Sequence, residues 1–315
     1  MNKKLIAAAI AAVVAAPAAV AADTTLYGKV NVSIQANDNG TTDNYTVNSN
    51  ASRIGVKGSE DLGNGLKAIF KMEFGVAVDQ NAGINNGRNA YVGLAGDFGT
   101  FLAGKHDTPA KVAYYAAGND HLDGTPADLN NIGFTERRLN NAIAYISPNM
   151  SGFTVAAAVV PGEGGATNND INNAYSIAAI YGGGGLKATV SYEVADKEYL
   201  GTTADEKMLQ AGASYTFGDF TIGAQYQDVN DKAGTAGRDE TIWALSAKAA
   251  FGNNYVAVNY ADRDDDGVTT DGSRFGIGVG HKFSKRTQVY AAYANQDNGT
   301  AADTSAFALG MIHTF

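Results

Sequence analysis

Residues 262–267, DRDDDG, set Asp262, Asp264 and Asp266 at alternate positions before Gly267, the spacing at which an EF-hand loop presents calcium ligands ahead of its sharp turn. The twelfth position is Ser273, where that loop needs a bidentate glutamate, and no flanking helix pair is in sight. The stretch therefore reads as an acidic loop. Four histidines, His106, His121, His281 and His313, are scattered without HExxH spacing, and no cysteine is available to complete a zinc site. There is no GxSxG elbow and no glycine loop ending in GK followed by Ser or Thr; the glycine runs are turns. A catalytic Ser/His/Asp set cannot be placed on facing elements. The expectation is a chain without catalysis, resident metal or cofactor.

The elements that carry the remaining charged residues alternate with period two. In TLYGKVNVSIQ, Leu26, Val30, Val32 and Ile34 fall on one face and Tyr27, Lys29, Asn31, Ser33 and Gln35 on the other. The pattern recurs with Leu66, Ala68, Phe70, Met72 and Phe74 opposite Lys67, Lys71 and Glu73, and with Leu209, Ala211, Ala213, Tyr215 and Phe217 opposite Gln210, Ser214 and Thr216. A soluble sandwich also alternates. Turn lengths separate the two cases. Short breaks at 61–65, 96–99, 147–152, 182–185 and 251–254 alternate with longer polar ones at 37–49, 79–87, 162–173, 195–206, 230–240, 262–273 and 296–304. Tight turns at one end and long loops at the other mark an outer-membrane barrel.

The predicted fold is an all-β transmembrane antiparallel β-barrel of about 16 strands over residues 23–315, wide enough for water and small solutes. Residues 1–22 read as a cleaved signal peptide: Lys3 and Lys4 precede an apolar run from Leu5 to Val20, with small residues before Asp23. No later stretch approaches the length of an apolar transmembrane helix. The absence of cysteine excludes a disulfide scaffold. A net charge of −9 argues against a nucleic-acid partner. The last strand, SAFALGMIHTF, puts Phe307, Leu309, Met311, His313 and Phe315 on one face.

Residues 106–136 form one break of a different character, longer than loops usually are without a function. It carries Val112, Tyr114, Tyr115, Leu122, Leu129, Ile132 and Phe134, which folding into the barrel would bury.

The stretches TLYGKV at 25–30, SRIGVKGSEDLGNGLKAIFKMEFG at 52–75, GRNAYVGLAGDFGTFLAGKHDTP at 87–109, RLNNAIAYISP at 138–148 and the terminal HTF resemble the Gram-negative general porin family, the trimeric diffusion porins, in its neisserial and related proteobacterial branch. The first half is covered almost continuously, the later strands in pattern more than in sequence. The resemblance implies sixteen strands, a homotrimer in outer-membrane lipid, and a third external loop, here 106–136, folded inward as a constriction. It also implies a basic cluster on the wall facing carboxylates on that loop. Arg53, Arg88 and Arg138 occupy the cluster's positions, with Lys29 a fourth; Asp120, Asp123 and Asp128 are the loop acids, although NDHLDGTPAD departs from the family's PEFGGD-like stretch. Glu73 could contribute from beside Lys71.

Alternation supplies a separate test of the wall. Arg53 is out of phase with Ile54 and Val56, Arg88 with Tyr91, and Arg138 with Leu139, Ile143 and Tyr145, and Lys71 and Lys105 pass the same test. Each would face the lumen if the apolar set faces lipid. The function expected is passive diffusion of small hydrophilic solutes and ions, with mild anion preference from the basic wall. A substrate-specific channel built on Tyr114, Tyr115 and the arginines is the alternative; an adhesin or phage-receptor barrel with a plugged lumen is a third. Acidic external loops could bridge to lipopolysaccharide through cations.

Overall fold

A computed structural model describes residues 23–315 apart from 81, 82, 86, 165–169 and 268–270; the leader at 1–22 and part of the 262–273 break lie outside the described residues. The chain runs through β1 (Asp23–Asp38), β2 (Asp43–Ser49), β3 (Arg53–Gly63), β4 (Leu66–Val76), β5 (Ile84–Asn85), β6 (Ala90–Gly96), β7 (Gly99–Asp107), β8 (Arg138–Ile146) and β9 (Phe153–Val160). It continues through β10 (Ala174–Gly183), β11 (Leu186–Ala195), β12 (Glu206–Phe217), β13 (Phe220–Asn230), β14 (Glu240–Phe251), β15 (Asn254–Asp265), β16 (Gly272–Lys282), β17 (Thr287–Gln296) and β18 (Thr304–Thr314). Neighbours in sequence pair antiparallel throughout. β2 and β3 both pair with β1, and β5 and β6 both pair with β4, so each couple is one interrupted strand and the barrel has sixteen.

Closure is by β1 against β18, from Lys29 opposite Thr314 to Asp38 opposite Ser305. Phe315 adds the last rung: Gly28 N donates to Phe315 O at 3.0 Å and Phe315 N to Gly28 O at 3.1 Å. A closed sheet has no edge, so its backbone donors are satisfied within the barrel, as a lipid environment demands.

The alternation sorts the side chains as the sequence leads one to expect. Leu26 is 59% exposed and Ile34 63%, whereas Asn31, between them on the other face, is 0% exposed. The same holds for Ile222 and Leu245 against Gln225 and Gln227. An apolar outside and a buried polar inside are the reverse of a soluble fold and suit a barrel in lipid. At the short-turn end, rings of Phe98, Phe101 and Tyr145 and of Phe217 and Phe220 lie against one another, as in an interfacial girdle.

Three phase expectations fail, each at an irregularity. Tyr91 is paired with Lys71, not set against lipid; Arg88 lies in the break between β5 and β6, so the alternation does not carry from it to Tyr91. Leu139 is 2% exposed and packs with Val160, Ala174 and Ala195, while Ile143 is 46% exposed. The cause is a register shift between Gly104 and His106 opposite Asn141, which has φ +56°. Lys105 pairs with Ala90, and Ala90 with Met72, which is 47% exposed, so the ladder aligns Lys105 with the apolar face instead of with Lys71. The DRDDDG stretch is also not a free loop. Asp262 pairs with Ser273 and Arg263 with Gly272 inside the β15–β16 hairpin, and Asp264 also lies in β15, so two of the three aspartates are extended strand and Asp266 sits in the turn that follows.

Candidate functional site

Between β7 and β8 the chain leaves the sheet. Thr108 Oγ1 accepts from Lys111 N at 3.2 Å and Pro109 fills the first turn, which starts a short helix, α1 (Pro109–Ala116). The segment then passes along side chains of the polar face, which hold it largely by its main-chain carbonyls. Ser214 Oγ donates to Ala117 O at 2.6 Å, Asn31 Nδ2 to Gly124 O at 2.8 Å, Asn259 Nδ2 to Ala127 O at 2.7 Å and Arg263 Nη1 to Ile132 O at 3.1 Å. Arg274 Nη2 donates to Pro126 O. Near the exit, Gln227 both donates to Thr135 O and accepts from Thr135 N.

Its apolar residues are docked as well. Tyr114, Leu129, Ile132 and Phe134 pack on Ile242, Ala244 and Ala261, and Leu122 and Ala127 on Tyr255, Ala257 and Tyr290. The wall makes room with glycine. A Cβ on Gly276 would stand 2.9 Å from Ala127 Cβ, and one on Gly278 2.5 Å from Leu122 Cδ2. Tyr114 is 0% exposed, so it offers no ring to a passing solute; Tyr115, 43% exposed, donates to Glu136 Oε2 at 3.1 Å.

On the wall, three of the expected basic residues gather around one acid. Glu73, 4% exposed, accepts from Tyr27 OH at 2.8 Å and from Arg88 Nε, and lies 3.3 Å from Lys71 Nζ and 3.9 Å from Arg53 Nε. Lys29 Nζ reaches across to Asp123 Oδ2 at 3.7 Å. Arg138 stands apart from that knot: Nη2 pairs with Asp107 at 2.6 Å, Nη1 donates to Gly87 O at 2.7 Å and Nε to Asn89 Oδ1 at 2.9 Å.

The loop acids also converge. Asp120, Asp123 and Asp128 each bring a carboxylate oxygen within 4.8 Å of the others. Asp128 accepts from Gly124 N at 2.8 Å and Asn130 N at 2.9 Å, which curls the loop tip around it. Burial and the neighbouring carboxylates push Asp120 well above the ordinary aspartate range, and burial raises Asp128 too. Glu136 is raised by burial despite Lys111 Nζ at 2.9 Å.

A second charged set escaped the sequence reading. Arg137 lies between Glu193 Oε1, 3.2 Å away, and Glu206. Lys232 pairs with Glu240 and donates to Thr135 Oγ1 at 2.8 Å, and Arg238 grips Asp265 at 2.7 and 3.0 Å. The four carboxylate residues are 1–3% exposed. Alternation could have found Glu193, which follows the lipid-side Tyr192; Arg137 precedes its strand and gives no periodic signal.

A closed barrel with an apolar exterior, a charged interior and an ordered segment along its inner face is the architecture of a transmembrane channel. Residues 7–301 match the Gram-negative porin family. The chain is 29% identical to the "Major outer membrane protein P.IB" of Neisseria gonorrhoeae, with all of both chains covered, and 31% identical to "Outer membrane porin protein 32" of Delftia acidovorans, covering 99% and 94%. Among solved structures, the "Anion-selective porin from Comamonas acidovorans" superposes with a TM-score of 0.78 at 24% identity, covering 94% of this chain and all of that one. The chain belongs to the Gram-negative porin family. It is a porin of the Gram-negative outer membrane, a water-filled barrel through which small hydrophilic solutes and ions diffuse passively.

Proposed function

We propose that segment 106–136 is the constriction and that solutes cross beside the place where its acids approach the basic wall. The observation that carries this reading is the Lys29–Asp123 approach, where a wall cation and a loop carboxylate meet at 3.7 Å. Arg53, Lys71 and Arg88 continue the positive pole along the wall; Asp120 and Asp128 continue the negative pole along the loop. Such a transverse field orients dipolar solutes and disfavours lipophilic ones, which cannot exchange their hydration for charged walls. No bond to the solute is made or broken, so the channel is non-catalytic.

The wall sets three cations against Glu73, and burial holds part of the loop's acid charge down, so the balance at the narrowing favours anions mildly. Arg138, tied to Asp107 and Gly87, contributes at the margin, and Lys105 is not part of the pole. The assembly is a homotrimer in outer-membrane lipid, its acidic external loops bridged to lipopolysaccharide through cations. Bilayer conductance in a salt gradient tests the reading. Stepwise openings in threes with a reversal potential on the anion side are expected, and Arg88→Glu should move that potential toward cations. An unmoved potential would remove the wall from the narrowing.

A further inference from the structure

Tyr27, Gly55 and Glu73 stand in one row across β1, β3 and β4, Tyr27 paired with Gly55 and Gly55 with Glu73. The missing side chain at Gly55 lets the phenol ring lie across β3: a Cβ there would stand 2.6 Å from Tyr27 Oη and 2.7 Å from its Cζ. The hydroxyl then reaches Glu73 at 2.8 Å. Two residues further toward the short turn at 61–65, Lys57 and Lys71 are direct cross-strand partners. Both ammonium groups sit against the same ring, Lys57 Nζ 5.3 Å and Lys71 Nζ 5.7 Å from its centroid.

The two lysines differ in counter-charge. Lys71 shares Glu73 with Arg53 and Arg88. Among the described residues no ion pair within 4.0 Å involves Lys57. Lys57 is exposed, and it is exposed to the lumen: its neighbour Val56 pairs with Leu26 of the outer face, so Lys57 takes the inner one. Like charges directly opposite one another destabilise a sheet, and contact with an aromatic face offsets only part of that cost. The pair is therefore poorly explained as a device for folding. Four residues along β3 from Arg53, Lys57 places a solvated positive charge about 13 Å nearer the short turns.

We propose that Lys57 is a further specificity-determining residue of the channel, which carries the positive pole of the wall from Arg53 and Lys71 toward the short-turn mouth, drawing small anions there and repelling small cations. A charge in a water-filled lumen acts on ions over about 10 Å at 0.1 M salt, so Lys57 governs ion concentrations at its own end of the pore. The inference deepens the reading of the wall as the positive pole and rests on it. It does not require segment 106–136 to be the narrowest point.

The chain has no cysteine, so Lys57→Cys introduces a single thiol that can be recharged in place. Reversal potentials of the full-length porin in a dilute potassium chloride gradient are the readout. Lys57→Cys should lower the anion-over-cation permeability ratio about twofold, the factor that one unit charge about 10 Å from the ion path makes in water after screening. A methanethiosulfonate reagent bearing an ammonium group, added on the short-turn side, should restore the parental ratio in the same open channel. One bearing a sulfonate should lower the ratio further. Opposite responses to two reagents of similar size report charge, which a merely structural lysine would not. The change should be larger when the dilute solution bathes the short-turn mouth, and Lys57→Arg should keep the parental ratio. A parental ratio in Lys57→Cys, or equal responses to both reagents, would overturn the inference. Arg88→Glu tests the wall at the narrowing separately: an inert Arg88→Glu beside a responsive Lys57→Cys would sink the constriction and leave Lys57 in its role.

Discussion

Lys29 Nζ, rooted in the strand that closes the barrel, and Asp123 Oδ2, at the tip of the inserted segment, face each other at 3.7 Å. Asp123 is half exposed, so water screens the pair and its worth to stability is about 0.5 kcal/mol. Its effect on ions should be larger than its effect on folding. Asp123→Asn is expected to shift the reversal potential toward anions and Lys29→Glu toward cations, with thermal unfolding of both variants close to the parent.

Glu73 has the opposite character. It is buried, and Arg53, Lys71, Arg88 and Tyr27 all converge on it. Glu73→Gln would leave three cations facing one another without their shared counter-charge, at a cost of about 3 kcal/mol in stability. Chemical denaturation should register the loss, and surviving channels should prefer anions more strongly than the parent. A variant of parental stability would show that pore water alone compensates the cluster.

The pH response follows from Asp120 and Asp128. Both carboxyls are raised by burial, so they take up protons on acidification before ordinary aspartates do. A group whose folded value exceeds its unfolded value stabilises the fold more as pH falls toward the unfolded value, and loses that contribution as pH rises through the folded one. For ions, the loop sheds negative charge over the same interval. Reversal potentials recorded across mildly acidic pH should drift toward anions above the usual aspartate range, and Asp120→Asn should flatten the drift.

Gly276 lies under the loop, with Ala127 Cβ 2.9 Å and Ala127 O 3.1 Å from the position its Cβ would take. Gly276→Val should therefore push segment 106–136 off the wall toward the open lumen. Lower unit conductance with an intact, heat-resistant barrel is the expected result. Unchanged conductance would mean that the loop does not bound the pore at that point.

The barrel was legible from sequence because lipid and water enforce a strict two-residue period, as in Leu26, Val30 and Ile34 against Asn31 and Ser33. Arg53 and Lys71 were legible for the same reason. Arg88 and Arg138 were named from motif resemblance, whereas the phase argument offered for them fails at the β5–β6 interruption and at the bulge beside Asn141. Periodicity reads regular strands and is blind where a strand breaks. Convergence is invisible to it as well: Glu73 was placed on the correct face, but nothing in its spacing reports that Arg88, fifteen residues on, bends back to it. Arg137 illustrates the remaining gap, since its partners Glu193 and Glu206 are contributed by strands far along the chain.

Asn31, Ser214, Asn259, Arg263 and Arg274 all address carbonyl oxygens of the inserted segment, and a carbonyl is the same whatever side chain its residue bears. The barrel therefore recognises the path of the loop more than its sequence. Outward-pointing positions such as Asp123 are free to change identity while the scaffold stays in place, so relatives and engineered variants can adopt new permeability by exchanging a few residues at the tip.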